Sequence, residues 1–159
     1  MDPLAVSNAA NALQALNQWA PVVWLKVNPY AYPMLEVVHI LGLALVFGTL
    51  WIVDLRILGA LRVFDAQQLA RQVLPWTLAG FGLAAASGLT MFMTAVGDLI
   101  ANPAFVLKMA LLFVAGSNAA MLHVRGVIDT RSRLTRAQAL FSIIIWVAVI
   151  TCGRWIGYL

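Results

Sequence analysis

The side chains with chemistry to offer in this sequence are His39, His123, Lys108, Arg154, Cys152 and the methionines Met91, Met93 and Met109. An imidazole nitrogen ligates transition metals and haem iron. Thiolate and thioether sulfur suit Cu(I). Lysine and arginine place a fixed positive charge, and arginine pairs well with carboxylates. Their setting is what makes them candidates. Each lies within or beside a long apolar stretch, where an ionisable group costs several kcal/mol and marks a functional position by default.

The elements that must position these residues follow from composition. The 159-residue chain is 63% hydrophobic and 10% charged, against about 25% charged for an ordinary soluble domain. A chain this short cannot bury that much apolar surface by itself, so lipid must cover the remainder. Four stretches can cross a hydrocarbon core of about 30 Å, which needs roughly 20 helical residues. They run from Met34 to Val53, Leu74 to Val96, Phe105 to Val124 and Ala139 to Tyr158. Pro33 precedes the first, Pro75 and Trp76 open the second, and the fourth is approached through Thr135. Asn102 and Pro103 stand before the third as N-cap and first helical residue. Isolated strands are excluded because lipid leaves their backbone groups unpaired.

The net charge of +4 does not indicate a nucleic-acid partner, because the basic residues cluster in short loops beside the apolar runs. Arg56, Arg62 and Arg71 follow the first run, and Arg125, Arg131, Arg133 and Arg136 follow the third. The positive-inside rule puts these loops in the cytoplasm and both termini outside. The expected location is therefore a bacterial inner membrane. No cleavable signal peptide is expected, and the single cysteine rules out an intramolecular disulfide. Residues 3–20 repeat Leu4, Ala12, Leu13, Leu16 and Trp19 at helical spacing between polar positions. That pattern predicts an amphipathic helix in the outer interface, ended by Pro21, serving as an anchor or as a lid over an outer pocket. Val22 to Leu25 then dips toward the bilayer. The fold class is all-α: one membrane domain over residues 1–159, a four-helix bundle with an N-terminal interfacial helix.

Counting about 1.5 Å per residue sorts the reactive groups by depth. His39, Met91, Met93, Lys108, Met109, Cys152 and Arg154 share one outer level. His123 lies roughly 20 Å away, near the cytoplasmic end of the third helix. His39 and His123 therefore cannot ligate one haem from both sides. Gly42 follows His39 at i+3, where a missing side chain admits either a flat ring or a neighbouring helix. Gly80, Ala84 and Gly88 read as a packing seam.

Two segments carry a family resemblance. The first helix, EVVHILGLALVFGTLWIVDLRILG, has an early histidine followed by glycines. The third, LKMALLFVAGSNAAMLHVRG, has an early lysine and a late histidine. Together they resemble the HemJ-type protoporphyrinogen oxidases and the related CopD-like four-helix membrane proteins. The resemblance implies b-type haem, with His39 and Lys108 as the functional pair. At the exit of the first helix, where that family places a proline directly before the arginine, this chain has Asp54-Leu55-Arg56.

Three functions stay open. In the first, the chain binds haem b for electron transfer or porphyrin-type oxidation near the outer leaflet. His39 is then the axial ligand, Lys108 the opposite ligand or a propionate partner, Arg154 a second propionate partner, and Gly42 the seat of the ring. Tyr30, Tyr32 and Trp155 would line its edge. A quinone or a periplasmic redox protein would exchange electrons with it. In the second, Met91, Met93, Met109, Cys152 and His39 handle copper, although Met91 and Met93 point about 200° apart on a helix. In the third, the chain is a non-catalytic anchor for a periplasmic partner. Assembly as a homo-oligomer is compatible with each.

Overall fold

The computed structural model describes residues 11, 14, 15 and 18–158, and for His123 the backbone alone. Among the described residues there are six helices: α1 (Ala20–Val27), α2 (Ala31–Leu58), α3 (Ala66–Thr94), α4 (Val96–Ala101), α5 (Pro103–Val124) and α6 (Arg133–Trp155). The expected interfacial helix over residues 3–20 falls almost wholly outside the described residues. Four of the helices (α2, α3, α5 and α6) are long and apolar enough to cross a membrane. Their outward faces carry exposed Ile40, Trp76, Leu89 and Phe113, which water would not tolerate in such number. The chain is a multi-pass membrane protein. The bundle end that carries α1 and α4 is called the upper end below, and the end with the arginine-rich loops the lower end.

Helix boundaries follow local chemistry. Trp19 is a bend, and Pro21 follows it inside a new helix. It sits in the first turn of α1, where its fixed φ and missing N–H suit a start. Val22 is then fully buried, and α1 rests against α2 and α3. At the other end of α2, Gly59 takes φ 110° and donates its N–H to Arg56, while Ala60 donates to Leu55. This left-handed stop falls to glycine because a Cβ would clash there.

The third helix of the chain begins earlier than its hydropathy suggests. Asp65 caps it by accepting from the Gln68 N–H at 2.8 Å. The polar turns through Gln67, Gln68 and Arg71 are thus helical, and Pro75 lies inside α3 rather than at its start. In contrast, α5 starts where its sequence indicates. The Asn102 side chain accepts from Ala104 at 3.0 Å and Phe105 at 3.3 Å, and Pro103 opens the helix. The Asn102 amide also donates to the Ile156 carbonyl at 3.1 Å, joining the top of α5 to the top of α6.

In lipid, helices associate through close packing and hydrogen bonds rather than through apolar burial from water. The α2–α3 pair packs most extensively, α5 packs on α6, and α2 meets α6. Small residues make the α2–α3 contact close. A Cβ on Gly42 would stand 2.7 Å from the Ala84 nitrogen and 2.9 Å from the Gly80 carbonyl. Lower on the same seam, Thr77 donates to Thr49 at 2.8 Å. Val46, Ala115, Ile145, Trp146 and Val149 form the central core of α2, α5 and α6. At the lower end, Arg136 donates to the Leu58 carbonyl and the Ile128 N–H donates to Gln67.

Candidate functional site

The upper half of the bundle gathers side chains from all four spanning helices. His39, on α2, holds its Nδ1 2.8 Å from the Ala84 carbonyl and 3.1 Å from the Ser87 hydroxyl of α3. A carbonyl can only accept, so Nδ1 carries the proton and donates it. The Ser87 hydroxyl donates to Leu83 at 2.7 Å, which leaves its oxygen free to accept from the same N–H. The neutral tautomer is therefore set, with the lone pair on Nε2. Among the described residues no hydrogen bond uses Nε2. The ring abuts Gly88, whose Cβ would come within 2.9 Å of His39 Cε1 and 3.3 Å of Nδ1.

Lys108 comes to the same place from α5. Its Nζ stands 3.6 Å from the position a Cβ would take on Gly153 of α6. That position is within electrostatic reach of His39, and Gly153 directly follows Cys152. Cys152 is a buried free thiol. The geometry thus brings His39, Lys108 and Cys152 together, with Ala84, Ser87, Gly88 and Gly153 shaping the space around them. Sequence reasoning passed over Ser87 and Gly153 and assigned Gly88 to packing. The available signal was depth, since both glycines lie at the level of His39 and Lys108.

Other candidates are placed elsewhere. Gly42 does not cradle a ring: the α3 backbone already occupies the space beside it. Its assignment to cofactor binding is corrected to helix packing. Arg154 faces outward, donating to the Tyr158 hydroxyl at 2.7 Å with its guanidinium 4.9 Å from that ring. Met109 is exposed on the outside of α5, one residue from the half-buried Lys108, while Met91 and Met93 are partly buried on α3. Among the described residues no three His, Cys, Asp or Glu side chains are grouped to hold a metal ion. The His123 backbone lies in the last turn of α5, at the lower end.

A second feature occupies the lower half. The Phe92 and Phe105 rings stack with centroids 5.4 Å apart, joining the top of α3 to the top of α5. Below them the two helices line opposite sides of a cavity of about 320 Å³, backed by α2 and α6. Its lining is largely apolar, with Asp54, Thr77, Asn118, Gln138 and Ser142 as polar exceptions.

Comparison with known proteins finds no match among curated proteins and none among solved structures. A family profile does match, over residues 28–159, covering all four spanning helices. The chain belongs to that family, DUF6644, a family of unknown function.

Proposed function

We propose that this membrane protein holds a b-type haem at the upper end of the bundle and serves electron transfer or porphyrin-type oxidation there. The observation that carries this reading is the His39 tautomer. A metal-ligating histidine characteristically gives its other ring N–H to a carbonyl or carboxylate, which fixes the ring and strengthens the free nitrogen as a ligand. The Ala84 carbonyl does this for His39 at 2.8 Å. The donor set suits the group: an imidazole whose Nε2 is uncommitted among the described residues, with a lysine nearby. The resemblance of α2 and α5 to HemJ-type proteins supports the same pairing.

Haem would supply one-electron chemistry whose potential depends on its axial ligands and on burial. His39 would hold the iron through Nε2 while Ala84 and Ser87 keep the ring from turning. Lys108 would stand as the opposite ligand or as the cation for a propionate. The arginine loops favour a cytoplasmic lower end; on that reading the site would lie near the outer leaflet of a bacterial inner membrane, with both termini outside. A membrane quinone or a periplasmic redox protein would then reach it. Copper is the second reading, favoured by the buried Cys152 thiol at the same level.

Detergent-purified protein, expressed with ample haem supply, is expected to show a Soret band that shifts on dithionite reduction. His39→Ala should abolish that shift. A colourless wild-type protein would sink the haem reading, and stoichiometric copper by elemental analysis would then favour the second.

A further inference from the structure

The turn between α2 and α3 is held by cations from three directions. Arg62, in the turn, donates its Nε to the Gly59 carbonyl at 2.9 Å, and Arg136 of α6 donates to the Leu58 carbonyl at 3.2 Å. Arg56, from the last turn of α2, donates its Nε to the Phe64 carbonyl. The Phe64 N–H closes the turn on the Leu61 carbonyl at 3.1 Å. Leu58 and Gly59 are successive residues, with α-carbons about 3.8 Å apart, so Arg62 and Arg136 are anchored side by side.

The carbonyls explain why the arginines come here, since the C-terminal end of a helix attracts cations. They do not exhaust them. A guanidinium carries more N–H donors than one carbonyl can take. Among the described residues none of the three pairs with a carboxylate. Asp65, next in the chain, accepts from the Gln68 N–H as the cap of α3. Three positive charges thus converge on one turn without a counter-ion from the protein, an arrangement that an anion would relieve.

The apolar half of the turn selects the anion. Leu61, Val63 and Phe64 are exposed, Val63 at 94%. The turn follows directly on a helix long and apolar enough to span the membrane, so it sits where headgroups meet acyl chains. At that boundary apolar side chains enter hydrocarbon while guanidiniums stay at headgroup level. A soluble phosphate ester would meet the cations and leave the apolar side chains without a partner. A zwitterionic lipid brings its own cation beside the phosphate. An anionic phospholipid satisfies both halves.

We infer that the α2–α3 turn binds an anionic phospholipid, with Arg56, Arg62 and Arg136 around its phosphate diester and Leu61, Val63 and Phe64 among its acyl chains. The site belongs to the lower end, at whichever face of the membrane that end meets, and does not depend on haem at the upper end.

The test uses the full chain, purified and delipidated in detergent, with dioleoylphosphatidylglycerol and dioleoylphosphatidylcholine as probes of identical tails. Native mass spectrometry reads the lipid retained against lipid concentration. Saturable retention of phosphatidylglycerol is expected, about tenfold tighter than that of phosphatidylcholine. This comparison is made on wild-type protein and is independent of variant folding. Arg62→Gln combined with Arg136→Gln should erase the preference. Arg71→Gln combined with Arg131→Gln removes the same charge from the same end and should keep it, because neither side chain donates to the turn. Glycerol phosphate, a headgroup without tails, should not displace the bound lipid. Equal affinity for the two lipids, a preference that survives Arg62→Gln with Arg136→Gln, or equal loss in both variant pairs overturns the inference and leaves diffuse surface charge. Displacement by glycerol phosphate overturns it in favour of a soluble phosphate ester.

Discussion

The two polar regions of this bundle use opposite means to keep polar groups inside lipid. In the upper half, His39 is bonded twice to α3 and lies on a glycine, in the part of the molecule where α2 and α3 run closest. In the lower half, Asp54 and Gln138 keep unpartnered atoms, beside a cavity lined by α3 and α5 below the Phe92–Phe105 stack. The first region is organised by close contact and the second by its absence. A side chain held by its own protein is ready to present its remaining atom to a ligand. The upper region should therefore hold its geometry by itself, while each unpartnered atom in the lower one is a cost to stability.

Glycine-to-alanine substitutions separate the regions, because one methyl group reports the room available. The largest effect is expected at Gly42. Its Cβ would meet backbone atoms of Ala84 and Gly80, and backbone cannot rotate away. Gly42→Ala should force α2 and α3 apart and cost about 3 kcal/mol. Reversible unfolding in mixed micelles would measure this. An unchanged stability would mean that the upper region is not held by close contact at all.

Gly88→Ala should cost less and report more specifically. The methyl group would stand 2.9 Å from His39 Cε1, a side-chain atom, so the imidazole must move. Alanine's better helix propensity returns about 1 kcal/mol, leaving a net loss of about 1 kcal/mol. Under the proposed haem function the sharper readout is spectroscopic: a displaced ring should shift the reduced Soret band or lower haem occupancy while the fold persists. A spectrum identical to wild type would separate His39 from the iron.

Much of this architecture could be read before any coordinates. The four spans follow from hydropathy and length, and Asn102–Pro103 announced the start of α5 because a cap and a proline act within one turn. The start of α3 was missed by eight residues, because Gln67, Gln68 and Arg71 end the apolar run without ending the helix. Depth counting placed His39, Lys108 and Cys152 at one level, since rise per residue is nearly constant. It could not tell which glycine meets a backbone and which meets an imidazole. That depends on how α2 and α3 are rotated about their own axes, which places Gly42 on the crossing and Gly88 under the ring. The lower cavity was hidden for a related reason. Asp54 reads as an ordinary polar residue at a helix exit, and its burial with one unpartnered oxygen depends on how the helices pack around it.

The smallest expected effect has the opposite sign and lies in the lower region. Gly116 lines the cavity, and a Cβ there would meet nothing within 4 Å. Gly116→Ala removes the conformational cost of a helical glycine and displaces no neighbour. It should therefore stabilise the protein by about 0.5–1 kcal/mol. A loss of stability would mean that α3 and α5 close on each other in solution and that the cavity is not a persistent space. A gain, set beside the losses at Gly42 and Gly88, would show that one chain keeps a tight half and an open half.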